Sequence, residues 1–328
     1  MFQRKREVVI VGCGPLARET ARDLAPGARV LGAFSIDKEP IRLDVGLRIL
    51  GRVESLEAFL EANPVDEVYL AASLRDHHLV LQQVVALCER LGMPFAVPAH
   101  AFRLGRALPR DSRLVADGYL HYRVTQNRPI GDAMKRACDV ALCGIGLALL
   151  SPVFAEVAAG IKLTSKGPVF FKQVRVGLRG RLFEMYKFRS MVVDAERQLE
   201  TLKTSNEQTG PVFKMKRDPR VTSIGRVIRK FSIDELPQLL NVLKGDMSIV
   251  GPRPPVPSEV ARYAPWQRRR LSVRPGLTCF WQVQGRNEIG FDEWMLLDLQ
   301  YVDQWSVAKD LELISRTVPV VVTGRGAS

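Results

Sequence analysis

The first hundred residues alternate short apolar runs with amphipathic stretches. Val8-Val9-Ile10-Val11 reads as a buried strand, ends at Gly12-Cys13-Gly14-Pro15-Leu16-Ala17, and gives way to a helical period reaching about Leu24. A second strand is expected over Arg29–Phe34, leading to Asp37. A helix follows near Val53–Glu61, then a strand at Glu67–Ala72, a helix at His77–Leu91 and a strand at Pro94–Pro98. This βαβαβ rhythm predicts a parallel sheet covered on both faces, an α/β, Rossmann-like domain over about residues 1–127. Gly12, Gly14 and Ala17 match a GxGxxA turn, and Asp37 sits roughly where a ribose-binding acid would. That makes the turn a candidate nucleotide or anion site, although a tight strand-to-helix connection needs glycine with no ligand at all. His77 and His78 are expected on a solvated helix face, and Arg103–Arg128 reads as a linker with short elements.

Asp139–Leu163 is the most apolar stretch of the chain. A spanning helix needs about 20 apolar residues, and Val140–Leu150 supplies little more than half of that before Ser151-Pro152. Pro152 lacks an N–H and collides with the carbonyl four residues back, so a helix must kink there, and the Ser151 hydroxyl can take up a freed backbone group. Lys135 and Arg136 precede the segment, and Lys162 and Lys166 follow it. Positive charge at both ends predicts that both ends lie on the cytoplasmic side. A re-entrant helix over about residues 136–163 is therefore expected; a buried helical hairpin in a soluble core is the alternative.

Beyond it, Phe170–Arg175 and Phe183–Arg189 read as two strands around a Gly177–Gly180 turn, with Lys187 and Arg189 two apart on one face. The run Phe231-Ser232-Ile233-Asp234-Glu235-Leu236-Pro237 places Pro237 in a first helical turn, so the helix should start within a few residues of Ser232. Asp234 and Glu235 would then lie at the positive end of its dipole. Ser232-x-x-Glu235 also fits a capping box with no chemistry attached. Arg253 and Arg274 sit in stiff Pro/Gly turns that suit phosphate clamps, whereas Arg268-Arg269-Arg270 reads as a helix face toward acidic lipid or water.

Composition narrows the chemistry. The 328 residues are 46% hydrophobic and 25% charged, enough for about two cored domains and too polar for a polytopic membrane protein. The net charge of +13 is lopsided: residues 1–130 hold 18 basic and 15 acidic residues, residues 131–328 hold 30 and 20. The second half should therefore meet a phosphorylated ligand, an acidic lipid surface or nucleic acid. Five cysteines form no CxxC and no leader is read at MFQRKREVVIVG, so a reducing setting without structural zinc is expected. All four histidines (77, 78, 100, 121) lie in the first half, so chemistry in the second must use carboxylates, Lys, Arg and hydroxyls.

From about residue 128 to 328, the ordered motifs Lys135-Arg136, Ser151-Pro152, Gly167-Pro168-Val169-Phe170-Phe171, Tyr186-Lys187-Phe188-Arg189-Ser190-Met191, Asp234-Glu235-Leu236-Pro237-Gln238, Gly251-Pro252-Arg253-Pro254, Arg274-Pro275-Gly276 and Trp281-Gln282-Val283-x-Gly285-Arg286 resemble the monotopic bacterial phosphoglycosyl transferases. The N-terminal unit looks like the accessory domain of the large members. Transmembrane helices usually precede that domain; none is read here, so a truncated or a shorter natural form is expected. The resemblance implies a mainly α, membrane-embedded catalytic domain with a small β-hairpin. It implies transfer of a sugar-1-phosphate from a UDP-sugar to polyprenyl phosphate at the cytoplasmic face of the inner membrane, in exopolysaccharide, capsule or O-antigen assembly. Asp234 would be the covalent nucleophile and Glu235 a Mg²⁺ ligand. Arg175, Lys187, Arg189, Arg253, Arg274 and Arg286 would face the phosphates or nucleotide. A carboxylate nucleophile needs no histidine base, in keeping with the second half. Membrane phospholipid and a second copy of the chain are the expected partners, and nucleic acid is not. A Rossmann-type NAD(P)-dependent oxidoreductase or nucleotide sensor would account for residues 1–100 only.

Overall fold

The computed structural model describes residues 4–36, 47–98, 119–122, 129–202, 215, 218–281 and 290–323. The chain divides into two compact units, Met1–Asn127 and Arg128–Ser328.

In the first unit, β1 (Arg6–Val11), β2 (Ala28–Ser35), β3 (Ile49–Arg52), β4 (Glu67–Leu70), β5 (Phe95–Pro98) and β6 (Tyr119–Tyr122) form one sheet in the order β3-β2-β1-β4-β5-β6. The first five are parallel and β6 is antiparallel to β5. Strand alternation sends Val8 and Ile10 to one face, under α1 (Pro15–Leu24), and Val9 and Val11 to the other, under α2 (Leu56–Ala62) and α3 (Leu74–Leu91). The expected α/β sheet is present. Two strands were not legible: β3 is only four residues long, and β6 lies inside the segment read as linker. Gly12 has φ +123°, and a Cβ there would stand 2.4 Å from the Ala71 carbonyl oxygen. Close approach of β4 thus explains this glycine without a ligand. Gly14 precedes α1 in an ordinary extended conformation, and Asp37 lies outside the described residues.

The second unit is mainly helical. It opens with α4 (Pro129–Leu149) and α5 (Ser151–Thr164), which meet at a 60° bend. No described helix is long and apolar enough to cross a membrane alone; this bent pair passes by length and composition. The bend is built as its chemistry requires. Pro152 cannot donate to Ala148 four residues back, and the Ser151 hydroxyl donates to that carbonyl at 2.9 Å. Around the break Leu142, Ile145 and Leu149 are exposed, while Cys143 packs inward on Met185, Leu239, Val242 and Met247.

An antiparallel hairpin follows, β7 (Phe170–Val176) and β8 (Leu182–Phe188), as expected. Then come α6 (Ala195–Leu202), α7 (Ser223–Lys230), a 3₁₀ turn (Ile233–Glu235), α8 (Gln238–Lys244) and β9 (Ser248–Val250). Two short helices, α9 (Pro257–Val260) and α10 (Pro265–Arg268), lead to β10 (Gly276–Thr278), which pairs in parallel with β9. The long helices α11 (Phe291–Gln304) and α12 (Val307–Thr323) complete the unit. Phe188, Val157, Ile161 and Ile228 form a core that ties α5 to β8 and α7.

Candidate functional site

The Asp-Glu pair owes its place to three local devices. Thr222 caps α7 by accepting from the Gly225 N–H, and Gly225 lets that helix start against the Ser190 carbonyl, where a Cβ would stand 1.9 Å away. At the far end of α7, Ser232 takes a left-handed conformation (φ 54°), unusual for a residue with a side chain. The chain reverses there into the 3₁₀ turn that carries Asp234 and Glu235. The expected capping box is not formed: the Ser232 side chain makes no cap, and α8 begins only at Gln238, after Pro237. The carboxylates therefore lie on a tight turn between two helices rather than in the first turn of one.

The third device is Asn241, which sequence reasoning passed over. Fully buried on α8, its amide accepts from the Tyr186 N–H (3.0 Å) and donates to the Glu184 carbonyl (2.6 Å), completing the free edge of β8. Its signal was present: one amide inside the run Leu239-Leu240-Asn241-Val242-Leu243 demands a partner when buried. This bolt brings Lys187 on β8 to the turn, where its ammonium donates to Glu235 Oε1 at 2.7 Å. Asp234 is buried, and burial pushes its carboxyl up to about 6; Glu235 pushes the same way, while Lys187 and Arg229 pull it down. Glu235 stays about a third exposed and can meet a ligand.

The remaining expected residues divide. Arg253 keeps 28% of its side chain exposed, 3.8 Å from Glu259 Oε1 and over the Trp294 ring. Arg175 is buried; it donates to Gln173 and to the Pro254 carbonyl, and burial with Arg253 nearby lowers it to about 9. Arg189, two positions from Lys187, turns to the chain that follows α5. It is buried and donates to the Ser165 and Lys166 carbonyls and the Ser165 hydroxyl, fastening the exit of α5. Arg274 is exposed and donates through Nε to the Gly245 carbonyl past α8. Arg286 lies outside the described residues.

Lys135 and Arg136, expected beside the apolar segment, are turned into the protein. Lys135 donates to Asp310, Tyr301 and the Val250 carbonyl, and Arg136 to the Val242 and Leu243 carbonyls at the end of α8. Lys162 and Lys166 remain exposed. Arg270 overturns its expectation most clearly: instead of facing lipid or water it is 2% exposed and paired with Asp298. The apolar surroundings of Tyr263 and Trp294 draw it in, and a charge can stay there only with such a partner.

Among the described residues no three His, Cys, Asp or Glu side chains converge as a metal cage. Glu235, left partly exposed, offers the single carboxylate with which magnesium can be held when substrate phosphates complete its shell.

Residues 130–324 match the bacterial sugar transferase family. Galactosyl transferase CpsE of Streptococcus agalactiae is 50% identical over 194 residues, 59% of this chain and 43% of that protein. Exopolysaccharide production protein ExoY of Sinorhizobium fredii is 41% identical over 204 residues, 61% of this chain and 90% of that protein. UDP-glucose:undecaprenyl-phosphate glucose-1-phosphate transferase of Escherichia coli is 32% identical over 326 residues, 96% of this chain and 67% of that protein. The chain thus spans less than half of the streptococcal relative and two thirds or more of the other two.

Proposed function

Because the chain belongs to the bacterial sugar transferase family, we propose that it transfers a sugar-1-phosphate from a UDP-sugar to a polyprenyl phosphate, releasing UMP, as a step in extracellular glycan assembly. The observation that carries this reading is the buried Asp234 next to Glu235 and Lys187. A carboxylate removed from water and set near cations is an activated nucleophile for an anionic electrophile. The relatives' names supply the substrate classes: UDP-glucose and undecaprenyl phosphate in the Escherichia coli protein.

In the proposed reaction, Asp234 attacks the β-phosphorus of the donor. The bond from that phosphorus to the oxygen shared with the α-phosphate breaks, and UMP leaves with the electron pair. An oxygen of the polyprenyl phosphate then attacks the phosphorus of the acyl phosphate, and the Asp234 carboxylate is regenerated. Lys187 and Arg253 neutralise the diphosphate so that an anion can approach it. Glu235 would hold magnesium together with the donor phosphates, and the ion when bound supplies charge neutralisation on the phosphoryl oxygens. Lipid acceptor and enzyme would meet where the bent pair α4–α5 enters one leaflet, on the cytoplasmic face of the inner membrane. A homodimer is proposed on the general prevalence of two-fold oligomers, to be read as native mass in a lipid particle.

The test is UMP release from a panel of UDP-sugars, with intact-mass analysis of the protein. UMP appearing at up to one equivalent per chain before acceptor is added, with a sugar-phosphate adduct on the Asp234 peptide, supports the reading. Strict dependence of UMP release on acceptor overturns the covalent route, and an adduct that persists in Asp234→Asn overturns Asp234 as its nucleophile.

A further inference from the structure

Four consecutive carbonyls of the segment Pro252–Pro255 are each held by a donor from another element. Pro252 accepts from the Gly276 N–H (2.9 Å), Arg253 from Arg270 Nη2 (2.9 Å), Pro254 from Arg175 Nη1 (2.8 Å) and Pro255 from the Val176 N–H (2.9 Å). Three of these four residues are prolines without an N–H, so carbonyls are the chief polar handles by which the segment can be fixed.

Arg270 is the donor that sequence reading misassigned. Its guanidinium forks to the Tyr263 hydroxyl at 2.6 Å and to the Arg253 carbonyl, and it stands 2.5 Å from Asp298 Oδ2, itself almost wholly buried. Arg253 and Arg270 both lie against the Trp294 ring, 5.4 and 5.3 Å from its centroid. An ion pair buried so completely gains little over well-packed apolar residues, so stability alone does not account for it. Arg253 Nη1, 3.8 Å from Glu259 Oε1, has no hydrogen-bond partner among the described residues, and the same holds for Arg270 Nε and Asp298 Oδ2.

We infer that Arg270, held by Asp298, is a positioning residue for Arg253. It fixes the main chain that carries the guanidinium and shares the aromatic face against which that guanidinium lies, while its own buried position keeps it away from any ligand. The inference rests on the proposed role of Arg253 toward the donor diphosphate.

The experiment is a mutant cycle on the affinity of the detergent-solubilised 328-residue chain for UDP, measured calorimetrically. Arg270→Met with Asp298→Leu replaces the ion pair by apolar bulk and should keep a cooperative melt while weakening UDP about 10-fold. Arg253→Ala should weaken UDP at least as much. The triple variant should be no weaker than Arg253→Ala within about 2-fold, because Arg270 acts through Arg253. A native-like affinity in the apolar pair, or losses that multiply in the triple variant, overturns the positioning role. Native affinity in Arg253→Ala, or no UDP binding by the parent chain, instead overturns the assignment of Arg253 and this inference with it. If the apolar pair does not melt cooperatively, Arg270→Lys enters the same cycle with the same outcomes, since an ammonium retains Asp298 but cannot reproduce the fork.

Discussion

Lys187 donates to Glu235 Oε1 at 2.7 Å, so its close contact is with the neighbour of Asp234. On Asp234 it acts as a nearby positive charge that holds the carboxyl down against the push of burial. The division matters because the two carboxylates need opposite settings. One must lose water yet remain an anion, and the other must stay open to solvent and ligand.

Removal of that charge predicts a shift in pH dependence. The acid limb of UMP release in the parent protein should fall as pH drops through about 6, where the Asp234 carboxyl takes up a proton. Lys187→Met should move the limb to higher pH and lower the plateau. An unmoved limb in a variant that still turns over would show that Lys187 does not act on Asp234.

Asp234→Asn should abolish turnover and, at neutral pH, raise the melting temperature. The Asp234 carboxyl is raised in the fold from 3.8 to about 6, so the fold binds this proton more tightly than the unfolded chain does. Its stabilising contribution is present in full below about pH 4 and is lost as pH rises through about 6. Above that, the buried anion costs up to about 3 kcal/mol, which a neutral amide avoids. Thermal melts of both proteins at pH 4 and pH 7.5 check this: the difference should be present at 7.5 and shrink at 4.

Asn241→Ala tests the bolt between α8 and β8. It strips partners from the Tyr186 N–H and the Glu184 carbonyl, at about 1–3 kcal/mol for each group left buried and unpaired. Denaturant melts should show that loss. Asn241→Asp keeps the acceptor for Tyr186 but sets a buried, unpaired carboxylate against the Glu184 carbonyl and Asp246, and at neutral pH should lose at least as much as Asn241→Ala.

How far the sequence carried these features depends on the range of the interaction. Ser151 and Pro152 were legible because one residue breaks the bond and its chain neighbour repairs it within one turn. The β7–β8 hairpin was legible for the same reason: alternation and a glycine turn are local. Arg270 was not, because its burial is decided by Asp298, 28 positions away in the chain. Lys135 and Arg136 failed similarly, their partners lying more than a hundred residues on. Ser232 misled for another reason: a motif at the right spacing says nothing about φ, and the left-handed turn there excludes the box it spells. β6 was missed because an edge strand of four residues is made by β5, against which it pairs, and not by its own period.

The bend between α4 and α5 carries the last prediction. Basic charge does not flank the bend on both sides, since Lys135 and Arg136 point into the protein and, of the four, only Lys162 and Lys166 stay exposed. What supports a dip that returns is the 60° angle itself, the Ser151 hydroxyl on the Ala148 carbonyl, and the exposed Leu142, Ile145 and Leu149 beside the break. Single cysteines at Asp132 and Lys166, both exposed, in a Cys138→Ser background should both react with a membrane-impermeant maleimide from the cytoplasmic side alone. Reaction of the two from opposite sides means a crossing helix and removes the re-entrant reading. Ser151→Ala with Pro152→Leu restores an N–H to the break and deletes the hydroxyl. A continuous helix then becomes accessible whose predominantly apolar part, Val140–Ile161, is long enough to cross about 30 Å of hydrocarbon. In that variant part of the Lys166 label should move to the far side, and UMP release should fall with it, because α5 could no longer hold Phe188 and Ile228 in the shared core behind the Asp234 turn.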